Sequence, residues 1–151
     1  MKRILVLTAA ATGLVFALSA AAAPSSATLT IRHELRGCHS WSLNGGAFKA
    51  VQRIQLFRGG TIVIQNNDVM PHQLVKTSGP AMIVKLIRPG SMQMGMPMHG
   101  AGMMSHVGAA VKVTFAAKGV YRLTTKAGED YMEMGPTIGE DYVLRAIVTV
   151  S

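Results

Sequence analysis

Short apolar runs rich in β-branched residues, broken at close intervals by turn residues, constrain this chain more than any other feature. Ala27–Ile31 reads ATLTI, Val51–Phe57 VQRIQLF, Thr61–Gln65 TIVIQ, Ala81–Ile87 AMIVKLI, Ala110–Phe115 AVKVTF, Val120–Thr125 VYRLTT and Tyr142–Val150 YVLRAIVTV. His72–Thr77 makes a further run. Arg58-Gly59-Gly60, Asn66-Asn67-Asp68 and Lys118-Gly119 supply the turns between them. No stretch beyond the N-terminal segment sustains a 3.6-residue apolar period, so helix is expected to be scarce. The pattern predicts an all-β sandwich of seven or eight strands. In VQRIQLF, Val51 and Ile54 break strict alternation, which predicts a bulge there.

The first residues have a different character. Lys2 and Arg3 precede the apolar stretch Ile4–Leu18, and Ala20-Ala21-Ala22-Ala23 offers small residues for cleavage. That order predicts a secretory signal over 1–23 and a periplasmic or secreted product. The alternative is an uncleaved anchor, against which stands the lack of a following basic stop-transfer cluster. After cleavage no stable membrane insertion is expected. Residues 24–151 then suit one domain with one core. Without Lys2 and Arg3 the net charge falls from +8 to about +6. Arg32, Arg53, Lys85, Arg122 and Arg145 are spread singly along the sequence, which argues against a nucleic-acid surface. No nucleophile elbow, phosphate loop or HExxH occurs, and no enzyme activity is expected.

Sulfur usage points elsewhere. Cys38 is the one cysteine, so no internal disulfide can form. An exported thiol without a partner is buried, bridged to another chain, or bound to a metal. Of eleven methionines, Met92, Met94, Met96, Met98, Met103 and Met104 fall within thirteen residues, beside His99 and His106. They lie in Arg88–Gly108, RPGSMQMGMPMHGAGMMSHVG, a stretch with neither period nor stiffness that predicts a long exposed loop. Thioethers suit Cu(I); an oily docking loop is the other reading.

Two passages resemble the copper-binding motif of the cupredoxins. Phe57–Gly79, FRGGTIVIQNNDVMPHQLVKTSG, has the family's glycine turn, a strand ending in Asn66, a loop with Asp68, then Pro71 and His72. Phe115, Gly119 and Tyr121, in VTFAAKGVYRLTT, match its second half. The resemblance implies a Greek-key β-sandwich with His72 as a copper ligand. Blue-copper members carry a cysteine six residues after that glycine, then His and Met; here Thr125 holds the cysteine position, and no histidine follows His106. Met134-Gly135 resembles the Met-Gly that closes the family's last loop, which implies an axial role for Met134.

The missing donor types occur together as Cys38-His39, behind the first strand. In a cupredoxin sandwich that loop lies at the copper end. The expected primary site is therefore His72, Cys38, His39 and Met134, with Met94, Met96, Met98, His99 and Met103 as a Cu(I)-binding loop. For Cys38 the buried-thiol and interchain-bridge readings stay open, and both Cys38 and His39 can face one ion only across a turn, which Gly37 permits. The function expected is that of an exported copper carrier or buffer, working with another envelope copper or redox protein. Electron transfer is the first alternative, and a metal-free interaction module the second.

Overall fold

The computed structural model describes residues 25–33, 39–89, 102–127 and 144–151. Their strands are β1 (Ser26–His33), β2 (His39–Leu43), β3 (Phe48–Lys49), β4 (Val51–Leu56), β5 (Thr61–Asn66), β6 (His72–Ser78), β7 (Ile83–Arg88), β8 (Met103–Met104), β9 (Ala110–Thr114), β10 (Gly119–Ala127) and β11 (Arg145–Val150). No helix occurs among the described residues. One sheet runs β3-β2-β1-β5-β9-β7 and the other β4-β11-β10-β6-β8. β1 pairs in parallel with β5, and β11 with β4; the remaining pairs are antiparallel. The all-β two-sheet sandwich is the one that the turn-punctuated runs predicted, with eleven strands among the described residues, two of them two residues long, in place of the seven or eight expected.

Side-chain alternation fixes which face each strand turns inward. Ala27, Leu29 and Ile31 of β1, Ile62 and Ile64 of β5, and Val111 and Val113 of β9 are buried against Ile54 and Leu56 of β4, Leu123 of β10 and Ala146, Val148 and Val150 of β11. Trp41, Phe115 and Tyr121 are fully buried, the last two edge to face with ring centroids 4.8 Å apart. The Tyr121 hydroxyl donates to the Ala117 carbonyl at 2.7 Å, so the ring is buried while its polar tip is satisfied.

Several local expectations are corrected. β4 pairs with β11 in unbroken register, without the bulge expected at Val51 and Ile54. Its inward set is Gln52, Ile54 and Leu56, because the Gln52 amide donates to the carbonyls of Trp41 (2.7 Å) and Ala47 (3.3 Å) and so can be buried. The bulges lie instead at Arg122/Leu123, between β10 and β6, and at Leu86/Arg88, between β7 and β9. β2 escaped sequence reading because Ser40, Trp41 and Ser42 are all buried, which erases the period-two signal. Within 88–108, expected as an exposed loop, Arg88 closes β7 and Met103–Met104 forms β8, with Met104 fully buried. Residues 90–101 lie outside the described set.

Glycine at 79 is required by packing. Its φ is +108°, and a Cβ there would stand 2.7 Å from the Val120 carbonyl oxygen and 2.8 Å from the Tyr121 Cα. Only a residue without a side chain lets the β6 exit lie flat on β10.

Registers also define one pole of the sandwich. Ile31 pairs with Asn66, His33 with His39, Ala127 with His72, and Gln65 and Arg88 both with Ala110. The ends of β1, β5, β7 and β10 and the starts of β2, β6 and β9 therefore gather where the Asn66–His72 turn lies.

Candidate metal centre

The turn from β5 to β6 is tied by its own side chains. Asn66 ends β5 fully buried, where an unpaired amide would be costly. Its Oδ1 accepts from the Asp68 N–H at 2.8 Å, and its Nδ2 donates to the carbonyls of Met70 (2.7 Å) and Met104 (3.0 Å). One side chain thus holds the turn closed and fastens it to β8. Backbone bonds brace the same corner: Asn67 N–H donates to Ile31, Gly108 N–H to Asn66, and Asn66 N–H to Ala109.

Asp68 is the sole acid among the described residues, and it is buried. Its Oδ1 accepts from the Met70 N–H at 3.1 Å, and its Oδ2 lies 3.3 Å from His72 Nε2. A carboxylate withdrawn from water persists only with such donors around it. The tautomer with its proton on Nε2 donates to Asp68 and directs the Nδ1 lone pair the other way, toward Thr125 Oγ1 at 3.5 Å. That distance is at the outer limit of a hydrogen bond. His72 and Thr125 are both fully buried. Carboxylate, imidazole and hydroxyl form one line from the turn into the space between the sheets.

The arrangement suits a metal-binding imidazole, since metal-bound histidines regularly give their second ring N–H to a carboxylate. Among the described residues, however, no three His, Cys, Asp or Glu side chains come together as a metal-holding set. An open groove of about 450 Å³ lined by Thr77, Arg122, Leu123, Thr124, Arg145, Ala146 and Ile147 shares no residue with the His72 corner. It offers no soft donor, so it is not a copper site.

Of the nominated residues, His72 is in place at the start of β6. His39 begins β2, its backbone paired with His33 two residues beyond the Ile31–Asn66 pair. Met103 begins β8, half-buried and paired with Gln73. Cys38, Met134, Met94, Met96, Met98 and His99 lie outside the described residues.

Two participants were not nominated from sequence. Asp68 was noted as part of the motif without a role, and its place four residues before His72 was the available signal. Thr125 was noted only as a departure from the family spacing, yet it is the residue that faces His72 Nδ1.

No protein-family model matches the chain, and neither does any curated protein. Among solved structures, a purple cupredoxin from Nitrosopumilus maritimus is 17% identical, over 83% of this chain and 99% of its own, with a TM-score of 0.42. A reduced amicyanin variant is 16% identical over 82% of each chain, with a TM-score of 0.40. A multi-copper oxidase from Pediococcus acidilactici is 12% identical with a TM-score of 0.39, and the match spans 99% of this chain but 31% of the oxidase. These are likenesses at low identity. A two-sheet sandwich with His72 entering β6 behind the Asn66–Pro71 turn, and Thr125 facing it six residues after Gly119, is cupredoxin-like in fold.

Proposed function

We propose that this chain binds copper at the His72 pole and carries or buffers it in the cell envelope, after export directed by residues 1–23. The observation that carries this reading is the buried line from Asp68 through His72 to Thr125, in which the carboxylate takes Nε2 and Nδ1 is turned toward the family's thiolate position. Cys38, His39 and Met134 are proposed to complete the shell. In support, His33 and His39, the strand ends on either side of 34–38, pair with each other at this pole. Ala127, which leads into 128–143, pairs with His72 itself. Copper would supply a soft cation with two accessible oxidation states, thiolate and thioether favouring Cu(I) and imidazole accepting both. Met94, Met96, Met98, His99 and Met103 are proposed to capture Cu(I) and pass it to or from the site or a partner, another envelope copper or redox protein.

Carriage is favoured over electron transfer by Thr125. Beside His72 stands a neutral hydroxyl where a blue site has its thiolate, so a thiolate on the ion has to come from Cys38, outside the position the family uses for electron transfer. The test is copper affinity of the chain from residue 24 onward, measured by competition against a chelator. His72→Ala is expected to lower it at least tenfold, and Cys38→Ser to lower it further in the Cu(I) state. Binding of copper by His72→Ala as tightly as by the unaltered chain refutes the site. Affinity should also fall with falling pH, because a proton competes for the imidazole lone pair.

A further inference from the structure

The β6–β8 ladder sets a second soft donor beside His72. His72 pairs directly with Met104, and Gln73 with Met103. Directly opposed residues on antiparallel strands point to the same face, with Cβ atoms roughly 5 Å apart. His72 and Met104 are both fully buried, whereas Gln73 is exposed and Met103 half-buried. The inward row across the second sheet therefore includes Met104 and His72, with Thr125 facing the same imidazole. The Met104 backbone is held by the Asn66 amide, the group that also closes the His72 turn, so the two positions are locked to one another.

We infer that Met104 is the thioether partner of His72 in a nitrogen–sulfur pair selective for Cu(I), a role distinct from that of Met94, Met96, Met98 and Met103 and from that of Met134. Two donors on one ion, with bonds of about 2.0 Å to nitrogen and 2.3 Å to sulfur, must approach within roughly 4 Å. β8 flanks β6 on the side away from β10, and with the two Cβ atoms roughly 5 Å apart the three rotatable bonds of methionine put its sulfur within reach of an ion on the imidazole. Met103, one residue away, faces the other side of β8. Leucine would fill the Met104 position in the core equally well, so only the sulfur distinguishes a ligand from a packing residue. A thioether raises affinity for Cu(I) and Ag(I) and adds nothing for Zn(II). This inference rests on the proposed role of His72 and names its partner.

The experiment uses the chain from residue 24 with Met92, Met94, Met96 and Met98 changed to Leu, so that the loop does not compete. Met104→Leu, Met103→Leu and His72→Ala are compared by Cu(I) competition titration and by the methionine methyl resonances on adding Ag(I). Met104→Leu is expected to lose at least tenfold in Cu(I) affinity while Zn(II) affinity and the urea midpoint stay unchanged, and Met103→Leu to stay within twofold. The Met104 methyl resonance should move with one equivalent of Ag(I). If Met104→Leu keeps its Cu(I) affinity within twofold while His72→Ala loses it, the pair is wrong and the His72 site stands. If His72→Ala also keeps it, the His72 reading fails and the pair with it. A Met104 methyl that ignores Ag(I) overturns the pair in either case.

Discussion

Asn66→Ala should damage this protein more than any other single polar truncation at the site. The side chain makes three buried hydrogen bonds, to the Asp68 N–H and to the Met70 and Met104 carbonyls, at 2.8, 2.7 and 3.0 Å. Alanine leaves all three partners without it. A buried polar group left unsatisfied costs about 1–3 kcal/mol, so three sum to about 3–9 kcal/mol. The upper figure is an overestimate, because the space vacated by the amide lets water reach part of the set. A loss of about 3–4 kcal/mol is the working value, a large share of the ~5–15 kcal/mol that holds a domain folded. With a urea m-value of about 2 kcal/mol/M, the midpoint should fall by about 1.5–2 M. Trp41, the chain's one tryptophan and fully buried, reports the transition by fluorescence. Asn67→Ala is the control: that residue is exposed, and its change should stay within about 0.5 kcal/mol. A midpoint for Asn66→Ala within about 0.5 M of the unaltered chain would show that the corner is not held by this amide.

Thr125→Cys, made in a Cys38→Ser background, should put a thiolate beside His72 Nδ1 and give an intense visible band with Cu(II); a colourless product refutes the geometry at 3.5 Å. Gly79→Ala should cost about 2–3 kcal/mol, from positive φ and backbone overlap together. Gly45→Ala, at φ +74° with nothing within 4 Å of the added Cβ, should cost about 1 kcal/mol; equal losses in thermal unfolding would refute the overlap. Gln52→Leu keeps the volume but removes the donor to the Trp41 and Ala47 carbonyls, and should lower stability by about 1–3 kcal/mol; a neutral or stabilising result in urea unfolding would show that water replaces the amide.

How much was legible in the sequence differs from strand to strand. β5 was plain, because TIVIQN alternates over a face with Ile62, Ile64 and Asn66 inward. β2 was hidden, because serines flank Trp41 in a buried strand and supply no contrast between faces. β4 misled in the opposite sense. Val51 and Ile54, out of alternation, suggested a bulge, whereas Val51 lies on the exposed face and Gln52 takes the inward position, its amide met by two carbonyls. At the site, the resemblance of the Asn-x-Asp-x-x-Pro-His order to the cupredoxin motif singled out His72, and the structure places that residue, buried, at the start of β6. Asp68 as the partner of Nε2 was not legible, since a spacing of four residues through a turn carries no direction.

Local chemistry is written along the chain, and the sequence alone determined what depends on it: where strands and turns alternate, that one thiol has no partner within the chain, and that soft donors abound. Which donors meet depended on the register between strands distant in sequence. His72 and Thr125 are fifty-three positions apart, and their approach follows from the pairing of β6 with β10. Met104 rather than Met103 faces inward beside His72 because side chains alternate every residue along a strand, so a shift of one position in the β6–β8 ladder would exchange them. Nothing in two adjacent methionines reveals that choice; the pairing of β8 with its neighbour makes it.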